Sequence, residues 1–193
     1  MPVVDKEMVC PGCGASISSK DKVCESCGRK LVFTSLNFKA IRQATFQDSS
    51  KFLESYQNAL KDSPNNPNVL ASLGYVLLDR GQFSDAAESL NKAMSNGAEN
   101  SDVVFHAALA QYKSKKPFQI KLKEAEDIIA KLDIAITMDP KPQYFLVKSE
   151  LIKTLFERRF IKYKESSSEV MKQSYEAGLT EEDKTDIESL LIK

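Results

Sequence analysis

Cys10, Cys13, Cys24 and Cys27 are the only cysteines in the 193-residue chain, and they fall as two CxxC pairs ten residues apart. A thiolate can serve as nucleophile, redox centre or metal ligand, and spacing decides among these. Two intervening residues let both sulfurs of a pair reach one ion, and Gly12, Gly14 and Gly28 let the backbone turn tightly around it. Four sulfurs without a histidine suit tetrahedral zinc, with Zn–S bonds of about 2.3 Å. Protein then fills every coordination position, so the expectation is one structural Zn2+ with no place for water or substrate. A redox pair of the thioredoxin kind opens a helix inside a βαβ unit, a pattern that residues 1–30 lack. So short a segment buries little core, and metal binding should supply its folding free energy.

The knuckles "CPGCG" and "CESCG" resemble those of the short zinc ribbons found at the N-termini of many bacterial and archaeal proteins. The resemblance covers residues 9–30 and implies a metal-binding module, which by itself says little about function. A rubredoxin-type iron site shares the CPxCG knuckle. Here the loop between the knuckles is short and holds no aromatic residue, which favours zinc.

From residue 31 the pattern is helical, which predicts two domains, 1–30 and 31–193, the larger mainly α. "VLASLGYVLLDRGQFSDAAESLNKAMSNGAE" (69–99) is the best-marked piece. Leu70, Leu73, Gly74 and Leu77 follow the 3.6-residue period, Gly81 ends that helix, and Ser84 is placed to cap the next. Ala86, Leu90 and Ala93 form the inner stripe of the second helix, and the small Gly74 and Ala86 allow close approach.

This stretch resembles a tetratricopeptide repeat, a helix–turn–helix unit of about 34 residues. The resemblance implies a TPR-like helical-hairpin array, an α-solenoid, preceded by the small four-cysteine zinc ribbon. Searching at that period, "FLESYQNALKDSPNNP" (52–67) closes an earlier unit whose first helix lies near Leu36–Ala44. "VVFHAALAQYK" (103–113) and "LKEAEDIIAKLDIAITMDP" (122–140) form a third, interrupted by "KSKKPFQIK". "QYFLVKSELIKTLFERRFIKYKE" (143–165) opens a degenerate repeat, with Lys148 where a small residue is expected. A helix running to about Ala177 follows, stopped by Gly178. Thr180 and Asp183 then cap a final helix, 181–192.

The repeat family binds peptides in a groove lined by the first helix of each unit. Carried onto this sequence, the groove residues are Ala71, Tyr75 and Leu78, then Phe105, Leu109 and Tyr112, then Phe145 and Ile152. Such a lining is apolar and aromatic, which implies a protein partner offering a peptide or an amphipathic helix. The same side chains could instead be covered by the chain's own C-terminal helix.

Catalytic chemistry has little to work with. His106 is the only histidine, and no P-loop, GxSxG or HExxH motif occurs, so no enzyme is expected. With 27 basic and 27 acidic residues the net charge is zero, which argues against a dedicated nucleic-acid binder. Nucleic-acid association through the ribbon, which carries Lys20, Lys22, Arg29 and Lys30, stands as the alternative. Residues 141–164 hold seven basic and two acidic residues. There Lys148, Lys153, Arg158, Arg159 and Lys162 form a second candidate site that could collect an acidic partner surface or phosphates, but the favoured reading is a solvated face, with Phe156, Phe160 and Tyr163 as core. No run is long and apolar enough for a membrane span, and the opening "MPVVDKEM" has no signal-peptide pattern. A cytoplasmic chain with no membrane partner is the expectation.

Overall fold

The computed structural model describes residues 8–9, 15–17, 23–28 and 46–191. They are mainly helical, with eight α-helices. Contacts divide the chain into two compact units, Met1–Val103 and Val104–Lys193. The boundary predicted at residue 30 and the helix expected near Leu36–Ala44 lie outside the described residues.

In the first unit, β1 (Met8–Val9) and β2 (Ser16–Ile17) pair antiparallel, Met8 opposite Ile17. Helix α1 (Phe46–Asp62) carries Phe52 and Tyr56 one turn apart. Both are buried, with rings stacked 6.2 Å apart. Helix α2 (Pro67–Asp79) starts at Asn66, whose side chain accepts hydrogen bonds from the backbone N–H of Asn68 and Val69. Pro67 then sits where a missing N–H costs nothing. Helix α2 packs on both α1 and α3 (Phe83–Ser95), which explains why every residue from Val69 to Leu77 is buried. Arg80 also donates to the Ser50 hydroxyl on α1.

The turn between α2 and α3 depends on Gly81, whose φ of +74° is left-handed. Because that turn ends at once, Gln82 takes the cap position of α3 and makes no side-chain cap hydrogen bond. Ser84, expected as the cap, lies inside the helix instead. Ala86, Leu90 and Ala93 are fully buried, as the stripe predicted. The two helices meet at Gly74, where an added Cβ would lie 2.5 Å from Leu90 Cγ. The Ser89 hydroxyl crosses the same seam to the carbonyl of Leu70, 3.1 Å away.

The second unit is built around α6 (Pro142–Leu155). Helix α4 (Ser101–Lys113) begins just before this unit, and α5 (Leu122–Met138) follows a 3-10 turn at Pro117–Gln119 that sends Ile120 inward. Gln111 on α4 bonds both Asp127 and Lys131 of α5. Helix α6 stops at Leu155, ten residues short of the end of the quoted stretch, and gives way to a 3-10 turn at Glu157–Arg159. Phe160 follows with φ of +59°. The chain then returns through α7 (Ser167–Glu176) and α8 (Glu181–Leu191), both packed on α6. Ser166 and Glu169 form a reciprocal capping box at the start of α7. Gly178 ends that passage at φ +94°, and Thr180 and Asp183 cap α8 as expected.

Candidate functional site

Only half of the cysteine set is described, since Cys10 and Cys13 fall outside the described residues. Cys24 is buried and Cys27 exposed. The turn that carries them closes with a 2.8 Å hydrogen bond from the Gly28 N–H to the Cys24 carbonyl, and Gly28 has φ of +69°. A residue with a Cβ would be strained there, so the glycine after the second cysteine is a geometric requirement of the knuckle. The turn brings Cys24 and Cys27 within one short backbone loop, and thiolates are a donor type that metals use. Among the described residues, no three His, Cys, Asp or Glu side chains converge on a point that could hold a metal.

The groove candidates divide between the units. On α2, Ala71 and Tyr75 are buried and Leu78 is half-buried. In the second unit, Phe105, Leu109, Tyr112 and Ile152 are buried and Phe145 is half-buried. Spacings of three and four residues put Ala71, Tyr75 and Leu78 on one face of α2, and Phe105, Leu109 and Tyr112 on one face of α4. Phe105 stacks on Tyr144 of α6 at 4.4 Å, so an aromatic surface expected for a partner is met by the chain's own ring. Burial of Tyr112 raises its phenol above the ordinary range, while Arg158 pulls the other way. His106 is buried edge-on to the Phe105 ring, 4.9 Å away.

The basic stretch is two things rather than one solvated face. Lys148 is buried, holding Asp133 of α5 at 2.7 Å and Glu165 beyond α6. Lys164 takes the other oxygen of Asp133 at 3.0 Å, and that bond raises its pKa. Lys153 is a distant pair of Glu150, at 3.9 Å. Arg159 donates to the carbonyl of Ile120, tying the two 3-10 turns together at 2.9 Å. Arg158 and Lys162 remain exposed. Of the aromatic residues there, Phe156 is core and packs against Tyr163 at 4.3 Å, but Phe160 is 98% exposed. Phe118, on the other 3-10 turn, is 74% exposed. Sequence reasoning passed over Phe118, although its setting among four lysines and a proline in "KSKKPFQIK" is a surface signal.

No protein-family model matches this chain, and no curated protein matches it. No helix among the described residues is long and apolar enough to cross a membrane.

Proposed function

We propose that this chain is a non-enzymatic adaptor: a TPR-like array of helical hairpins that binds a protein partner, fronted by a four-cysteine zinc ribbon acting as cap or second docking surface. The observation that carries the reading is the α2–α3 hairpin. Its helices close on one another at Gly74 and Leu90, with Ala86 and Ala93 on the same stripe. That is the small-residue seam on which the resemblance to tetratricopeptide repeats rests.

Most groove candidates are buried in the free chain, so a partner helix that uses them must displace what covers them. Leu78 in the first unit and Phe145 in the second are the half-buried members, and each offers a first contact within its own unit. The test is a tagged pull-down from the native host's lysate, with and without nuclease. A discrete protein set should survive nuclease and be lost with Leu78→Glu or Phe145→Glu in a folded variant. A set unchanged by both substitutions refutes this groove. Recovery that collapses with nuclease transfers the function to nucleic acid.

The cofactor of this reading is one structural zinc on Cys10, Cys13, Cys24 and Cys27. Elemental analysis should find one zinc per chain. Chelation should unfold the ribbon while helical circular dichroism persists, because zinc-finger peptides draw on the order of 10–16 kcal/mol from the metal. Stoichiometry near zero in a chain purified without chelator would refute it.

A further inference from the structure

The two 3-10 turns of the second unit present an arrangement that packing does not explain. Residues 114–123 and 158–164 together carry eight cations and no carboxylate. Three are engaged internally: Lys115 on Glu124, Arg159 on the Ile120 carbonyl, and Lys164 on Asp133. Lys116, Lys121, Lys123, Arg158 and Lys162 are exposed, and no carboxylate among the described residues lies within ion-pair distance of them. Phe118 and Leu122 in the first stretch and Phe160 in the second are exposed, and the bond from Arg159 to the Ile120 carbonyl ties the two stretches together.

Phe160 is the informative one. Its backbone is left-handed, a region where a bulky residue is an outlier and glycine or asparagine is at ease. The turn is nonetheless fixed, by hydrogen bonds from the Phe160 N–H to Glu157 and from the Ile161 N–H to Phe156. Neither the backbone nor the core asks for phenylalanine at this position. A bulky ring almost wholly in water, on a left-handed residue, is the kind of outlier from which a functional hypothesis starts.

We propose that Phe118, Leu122 and Phe160, rimmed by these cations, form a peripheral docking site for an anionic lipid bilayer. Phe118 lies on one 3-10 turn, Phe160 directly follows the other, and Leu122 opens α5; a bilayer interface accepts exposed apolar groups without a matching pocket. Lysine and arginine beside them meet anionic headgroups while their stems lie along the apolar boundary. Nucleic-acid bases would use the rings as stacking platforms but would gain nothing comparable from Leu122. The expectation of no membrane partner rested on spanning length, which a peripheral contact does not require. The proposal is independent of the adaptor reading, since it uses different residues.

The chain has no tryptophan, so Phe160→Trp provides a lone reporter. The full-length protein should sediment with phosphatidylcholine vesicles containing about one third phosphatidylserine, and not with phosphatidylcholine alone. Tryptophan emission should shift to the blue on the anionic vesicles. The double variant Phe118→Ser/Phe160→Asn should bind at least about tenfold more weakly, with an unchanged thermal melt. Absence of vesicle binding at low salt, undiminished binding by the double variant, or unshifted emission overturns the proposal. Binding of single-stranded RNA that the double variant loses, without vesicle binding, overturns it in favour of nucleic acid.

Discussion

Gly74→Ala should destabilise the chain, although alanine favours a helix over glycine by about 1 kcal/mol. The new methyl group would lie 2.5, 2.8 and 3.3 Å from Leu90 Cγ, Cδ2 and Cδ1. The first of these is a branch point, so no rotation of a distal methyl relieves the clash. Leu90 is itself fully buried, and a packed interior gives way only at a cost of about 1–3 kcal/mol. The clash therefore outweighs the propensity gain, and Gly74→Val, bulkier and β-branched, should cost about 3 kcal/mol or more. The decisive measurement is the sign of the coupling by denaturant unfolding. Leu90→Ala alone should cost about 2–5 kcal/mol through the cavity it opens. In that background Gly74→Ala should become stabilising, because the obstacle is gone and only the propensity remains. The same destabilisation in both backgrounds would show that Gly74 is not limited by Leu90.

The seam at Gly74 was legible in the sequence because everything that sets it is local: the 3.6-residue period, one glycine, and a turn glycine seven residues on. Gly81 and Gly178 were legible for the same reason, since only glycine takes their positive φ without strain. The capping pair Thr180 and Asp183 also declares itself within four residues. Ser84 shows how little displaces such a signal. It has the right chemistry for a cap, but the Gly81 turn closes so quickly that the cap position passes to Gln82. Phe160 failed for a different reason. Phe156, Phe160 and Tyr163 are spaced as one helical stripe, which predicts three core residues. That arithmetic holds only inside a helix, and α6 ends at Leu155. Beyond that point Phe156 turns inward and Phe160 outward. Nothing in the residues between them announces the stop, because the helix breaks without proline or glycine. The groove residues were legible as apolar helix faces. Which segments would cover them depends on how distant parts of the chain pack, and periodicity carries no information about that.

Lys148→Glu should be among the most damaging single substitutions in the second unit, and Lys148→Met far milder. The repeat register sets Lys148 at an inward position of α6, against its reading as part of a solvated face, and there an unpaired ammonium would be costly. The structure answers that cost with partners remote in sequence, Asp133 fifteen residues before and Glu165 seventeen after. Both carboxylates are partly open to water, and Lys164 holds the second oxygen of Asp133. Removing the cation but keeping its bulk, as Met does, leaves two carboxylates that water and Lys164 can still stabilise. The loss should be about 1–2 kcal/mol, below the roughly 3–5 kcal/mol of a wholly buried broken pair. Replacing the cation with an anion puts a third carboxyl between the other two, and the cost should exceed about 4 kcal/mol near neutral pH. The repulsion also fixes a sign. Like charges and burial raise the folded-state pKa of the introduced carboxyl above its unfolded value, so the folded variant binds more protons than the unfolded one. The damage of Lys148→Glu should therefore shrink as pH falls from about 7 toward about 5, and that of Lys148→Met should change much less over that range. Denaturant midpoints for the two variants at both pH values make the comparison. If Lys148→Glu and Lys148→Met cost the same at each pH, the ammonium contributes packing alone, and the contacts to Asp133 and Glu165 carry no net stability.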